Sequence, residues 1–100
     1  MIKIKFTKHL KNRIKQRNFK KSFVFNLFNS STSIFYDNLN HTYIKISKFN
    51  QKLYMIAYIQ KDDQIKIITI HIIKHTQIVN RIKNKRWSII KNKSNYDNWS

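Results

Sequence analysis

The chain of 100 residues has no cysteine, glycine, proline or glutamate. Lack of cysteine excludes disulfides, thiolate zinc sites and thiol nucleophiles. Lack of glycine excludes the Gly-rich phosphate loops of P-loop and Rossmann nucleotide binding. Long hydrophobic runs are missing too. The start MIKIKF has no long apolar stretch, and IKIITIHII is interrupted by Lys66, Thr69 and His71, well within the roughly 20 residues a membrane helix needs. Secretion and membrane association are therefore not expected, and a cytoplasmic location is.

What is abundant is positive charge. Twenty-one Lys and Arg stand against four aspartates, Asp37, Asp62, Asp63 and Asp97, for a net charge of +17. AT-rich coding accounts for some of the Lys, Asn, Ile, Phe and Tyr, yet it would raise glutamate together with lysine. Charge this one-sided repels itself unless a polyanion or an acidic protein offsets it. RNA and an acidic protein are the partners it points to.

Hydropathy patterning places the elements of a single domain over residues 1–88, followed by a mobile basic tail over 89–100. Alternation predicts a strand over 2–6, with Ile2, Ile4 and Phe6 on one face. Leu10 and Ile14 mark a narrow apolar stripe on a helix over 8–17, which Asn18 ends by tolerating the left-handed conformation. Phe23, Val24, Leu27 and Phe28 define a second, more buried helix over 20–29, and NSSTS breaks it. The period then becomes two, with strands over 34–36, 41–48, 52–60 and 65–73 and a turn at KDDQ. In the last strand Ile68, Ile70 and Ile72 are separated from a face bearing Ile67, Thr69 and His71. Thr76 is placed to cap a third helix, made apolar by Ile78, Val79 and Ile82 and basic by Arg81, Lys83, Lys85 and Arg86; Trp87 closes it or packs beneath it. The fold class expected is α+β: an antiparallel sheet of four or so strands, two N-terminal helices on one face, a C-terminal helix, and the other face open.

Within this frame His9, Arg13 and Arg17 recur every four residues and share one helix flank, a column that alone is equally a solvated basic face. His71 sits in an apolar strand, where a histidine is equally a hydrogen-bonded resident of the core edge. Thr69 shares its face. Two histidines with arginines are the parts of metal-free RNA cleavage: one imidazole deprotonates the ribose 2′-hydroxyl, another protonates the leaving oxygen, and guanidinium stabilises the charged phosphorane. Arg81, Lys85 and Arg86 are candidate phosphate contacts, and Tyr54 and Tyr58 candidate stacking platforms. No metal or other cofactor is expected, because Asp62 and Asp63 are adjacent in a turn, Asp37 and Asp97 lie in unrelated segments, and His71 and His75 span a strand and its exit.

FTKHLKNRIKQRNF with Val24, continued by KLYMIAYIQ and KIITIH, resembles a family of small prokaryotic domains in which a strand leads into an H-x-x-x-R-x-x-x-R helix. The resemblance covers roughly residues 3–73. That family is grouped with the RelE, ParE and BrnT toxins and with barnase-like and colicin-like nucleases. The resemblance implies a compact RelE-like ribonuclease fold, an acidic antitoxin as partner, and a site carried by His9, Arg13, Arg17 and Thr69, with His71 just after. Lys20, where a Ser or Thr helix cap is usual, and the glycine-free hairpin over 47–53, which leaves Asn50 as the left-handed residue, depart from the pattern. The expectation is an endoribonuclease with catalytic His9, His71 and Thr69. The alternatives are a non-catalytic nucleic-acid-binding protein and a protein that only binds an acidic partner. If Ile68, Ile70 and Ile72 face the helices, Thr69 and His71 point away from His9, and the two halves meet only at a sheet edge or after strong twist.

Overall fold

The computed structural model describes residues 3–92. Among them the alternating KIKF segment is strand β1 (Lys3–Phe6), followed by helix α1 (Lys8–Gln16) and helix α2 (Lys21–Asn29). Four strands follow in a meander: β2 (Ser33–Asp37), β3 (Thr42–Phe49), β4 (Lys52–Lys61) and β5 (Gln64–Ile73). Helix α3 (His75–Lys83) and strand β6 (Trp87–Asn92) complete the described chain. Ile2 and residues 93–100, including Trp99, lie outside the described residues.

The architecture is α+β, but the sheet is larger than the sequence suggests and mixed. Its order is β1-β5-β4-β3-β2-β6, with β1 parallel to β5 and the other pairs antiparallel. Residues 89–92, expected to begin a tail, are instead paired with β2 in β6. Nor is the second face open. On one face Leu10, Ile14, Val24, Leu27 and Phe28 of α1 and α2 pack on Tyr54, Ile56, Tyr58, Ile67 and Ile70. On the other, Ile78 of α3 packs with Trp87 on Phe35, Ile44, Ile46 and Ile73. Each fully buried aliphatic side chain contributes about 1.5–3 kcal/mol relative to exposure. A nine-residue α3 is about 13 Å long, whereas six strands span about 24 Å. The helix therefore covers only part of its face, and the cleft described below lies beside it.

Chain reversals are made without glycine. The φ values are positive at Asn18, His41, Asn50, Gln51, Asp62 and Lys85. At Asn18 and Lys85 the turn is a Schellman motif: Phe19 N–H donates to the Ile14 carbonyl at 2.8 Å, and Arg86 N–H to that of Arg81 at 2.9 Å. Lys85 and Arg86, expected on α3, thus lie beyond its end. Thr76 does not cap α3 either; the N-cap is Lys74, whose backbone N–H donates to Gln77 Oε1 at 2.9 Å. The β3–β4 hairpin turns on Asn50 and Gln51 at φ 50° and 64°, the two consecutive left-handed residues of a type I′ turn.

Glutamine carries a Cβ penalty in that conformation which glycine lacks. Gln51→Gly is expected to stabilise the fold by about 1 kcal/mol, read as a raised urea midpoint with unchanged slope. An unchanged or lowered midpoint would contradict the turn assignment.

Candidate functional site

The site begins with an irregularity in β5. Across the β4–β5 ladder Ala57 faces Thr69 and Tyr58 faces Ile67, leaving Ile68 as the extra residue of a β-bulge. One extra residue exchanges the faces of everything after it. Ile65 and Ile67 pack under α1 and α2, and beyond the bulge Ile70 does, while Thr69 and His71 line a cleft on the α3 face with Ala57 and Ile44. The simple alternation expected from the sequence therefore misplaces two residues: Ile67 is in the core beneath α1 and α2, and Ile68 borders the cleft.

The two halves of the site meet at a sheet edge. β1 pairs only with residues 64–67 of β5, so from the bulge onward the outer side of β5 is left to α1. Thr7 makes this junction. Its backbone N–H donates to the Ile67 carbonyl at 3.1 Å, and its hydroxyl donates to the Ile68 carbonyl at 3.1 Å. The same hydroxyl accepts the Leu10 N–H at 3.2 Å as the N-cap of α1. With Leu10 and Ile14 buried in the core, Arg13 lies on the flank beside β5 and reaches round the edge. Its Nη2 is 2.7 Å from His71 Nδ1.

A guanidinium only donates, so Nδ1 accepts and the neutral ring carries its proton on Nε2. Nε2 lies 3.2 Å from Thr69 Oγ1. The imidazole therefore donates to the threonine oxygen, and the threonine hydroxyl keeps its own hydrogen to give away. Burial holds the His71 pKa below 6.5, and the charges of Arg13, Arg17, Arg81 and His9 add to this.

The cleft beside His71 has a volume of about 270 Å³. Arg81, from α3, sits with its guanidinium carbon 5.0 Å from the centroid of the Trp87 ring and donates to Met55 Sδ at 3.6 Å. Arg86 reaches Asp37 Oδ2 at 3.6 Å. Asp37 is almost fully buried; its Oδ1 accepts the Leu39 and Asn40 N–H groups at 2.9 and 3.1 Å, and its Oδ2 accepts Asn40 Nδ2 at 3.1 Å. Burial raises its pKa, but these donors and Arg86 outweigh that and leave it lowered. Among the described residues no three His or Asp side chains gather as metal ligands.

The structure thus brings Arg13, Thr69, His71, Arg81 and Arg86 to one place. His9 is exposed on the first turn of α1, and Arg17 is exposed at its C-cap; both are close enough for their charge to be felt at His71. Lys85 is exposed in the turn after α3. Tyr54 and Tyr58 are not stacking platforms. They are 6% and 4% exposed, beneath the N-terminal helices, with Tyr58 edge-on to Phe28 and Tyr54 edge-on to Phe23. Burial pushes the Tyr58 pKa up to about 12. Thr7, Asp37 and Trp87 went unnoticed in the sequence as site residues. The first two had local signals, a Thr at a helix start and Asp in DNLN as an Asx turn. Trp87 had none, since only topology brings it here.

Comparison with known proteins finds no family model, curated protein or solved structure that matches the chain.

Because the folded chain disfavours protonated His71, the unfolded chain binds the extra proton below about pH 6.5. The stability that depends on neutral His71 is present above that pH and lost as pH falls through the lower folded pKa. An NMR titration is expected to place His71 below 6.5, with Arg13→Gln moving its midpoint part of the way back. A midpoint indifferent to Arg13 would contradict the contact across the edge.

Proposed function

We propose that this chain is a RelE-like, toxin-type domain that binds RNA and cleaves it without a metal ion. The observation that carries this reading is the linked set Arg13–His71–Thr69 opening on a cleft with Arg81 and Arg86, in a chain of net charge +17. The one carboxylate lining that cleft, Asp37, is already engaged by its own turn and by Arg86, so the groups left to act are guanidinium, imidazole and hydroxyl.

The lowered pKa keeps His71 neutral, the form a general base requires. A phosphodiester arriving at the edge competes for Arg13, because a guanidinium donates more strongly to phosphate oxygen than to imidazole. Arg13 turning to the phosphate frees Nδ1. His71 then takes the proton of the ribose 2′-hydroxyl, whose oxygen attacks the adjacent phosphorus. The 5′-oxygen leaves with a proton, for which exposed His9 is the candidate donor, and a 2′,3′-cyclic phosphate remains. Arg13 stabilises the charge on the phosphorane, and the Thr69 hydroxyl donates to it. The excess positive charge also suits an acidic antitoxin partner.

A second reading, RNA binding without cleavage, is favoured by one observation: both ring nitrogens of His71 are engaged. Incubation of RNA with the protein in EDTA separates the two. Cleavage is expected, with His71→Ala slowing it by about 10²–10⁴-fold and His9→Ala by less. Intact RNA at concentrations where binding is seen would sink the cleavage reading. Absence of salt-sensitive RNA binding would sink both.

A further inference from the structure

In and beside this cleft the buried side-chain polar atoms left without a partner are all donors. Among the described residues, the buried side-chain polar atoms without a protein partner are Arg13 Nε, Arg86 Nε and Trp87 Nε1. All three are N–H donors. Two of these residues, Arg86 and Trp87, line the cleft, and Arg13 lies at its far edge behind His71. Trp87 is 2% exposed, and its ring is fixed by stacking on Phe35 at 5.4 Å and by Arg81 above it. A buried donor left unmade costs about as much as a hydrogen bond contributes, or more. Arg81 is little better served, since besides the Trp87 ring it has for hydrogen-bond acceptor a thioether, a weak one. The acceptor that could have answered them, Asp37, has its oxygens taken.

We infer that the Trp87 end of the cleft is a phosphate subsite, in which Trp87 Nε1–H, Arg86 Nε–H and the Arg81 guanidinium hold the oxygens of an RNA backbone phosphate next to the one that reacts at His71. This deepens the reading of the cleft as an RNA site and rests on it. A phosphate oxyanion fits the donor set in both charge and number: it offers several acceptor atoms and no or few donors, and it offsets the charge of two arginines that line one cleft. The space of about 270 Å³ lies just below the roughly 300–1,000 Å³ of a drug-sized pocket, so it suits one phosphate with its sugar. His71, Arg81 and Met55 also border an adjoining hollow that continues past Gln77 and Ile72, which gives the strand a path across the reacting position.

The test reads the Trp87 indole N–H by NMR, with Trp99→Phe used to assign its resonance. Inorganic phosphate is titrated first, at constant ionic strength against chloride, and then a trideoxynucleotide, which lacks the 2′-hydroxyl and is not cleaved by this route. Both are expected to move the Trp87 resonance saturably, the oligomer at lower concentration, while chloride leaves it in place. Arg81→Gln is expected to weaken phosphate by about 10-fold, and Arg86→Gln likewise where its spectrum shows the native fold. A Trp87 resonance unmoved by both ligands would overturn the inference. Movement by inorganic phosphate alone would overturn it as an RNA subsite and leave a site for a small free anion. The two ideas fail separately: a protein that cleaves RNA without moving Trp87 loses only the subsite, and one that moves Trp87 without cleaving loses only catalysis.

Discussion

The bulge at Ile68, held by the hydroxyl of Thr7, is the constraint on which the site depends. Strand side chains alternate strictly, so in a regular β5 Thr69 and His71 would share the face of Ile65 and Ile67 and sit beneath α1 and α2. There a titratable imidazole would meet an apolar core and no solvent. The extra residue turns Thr69 and His71 to the α3 face, and it does so just where β1 stops pairing and α1 takes over the edge. Thr7 serves three purposes with one side chain and one backbone N–H: it caps α1, ties the helix to the bulged carbonyl, and thereby sets the flank from which Arg13 reaches His71.

Electrostatics then gives the arrangement its character. Arg13, Arg17 and Arg81 act on an imidazole whose neutral form burial already favours, and Arg81 is itself destabilised as a cation by burial and by Arg86. Such crowding opposes folding, and in exchange leaves a cleft lined by positive charge. Asp37 offsets part of this charge. Its carboxylate closes the turn after β2 and anchors Arg86, so this buried negative charge serves the scaffold and is not a free ligand group. On the opposite face a cation is used structurally: Lys45 lies over the Phe28 ring at 3.7 Å and donates to the Phe28 carbonyl at 3.1 Å, near the C-terminus of α2.

Much of the fold was legible because periodicity is a local property. The helices over 8–17 and 20–29 and the strands over 41–48, 52–60 and 65–73 lie within a residue or two of α1, α2, β3, β4 and β5. Asn18 and Asn50 as left-handed residues followed from side-chain chemistry alone. What was hidden is set by contacts distant in sequence. The SII segment of β6 is a strand because β2 offers it an edge. Tyr54 and Tyr58 belong to a strand apolar on both faces, so their burial depends on which face the helices cover. The bulge leaves no mark in IKIITIHII, where isoleucine occupies positions on both sides of it. The contact of Arg13 with His71, 58 residues apart, is not legible in the sequence, which sets only the condition that the His9 helix and the Thr69–His71 strand meet at a sheet edge or after strong twist.

Arg13 holds His71 across that edge as a neutral ring protonated on Nε2. Long-range proton–nitrogen NMR of the histidine side chains at pH 7 tests it directly. The expected result for His71 is a protonated Nε2 and a bare Nδ1, with that preference lost in Arg13→Gln. An Nδ1-protonated ring, or a tautomer mixture unchanged by the substitution, would contradict it.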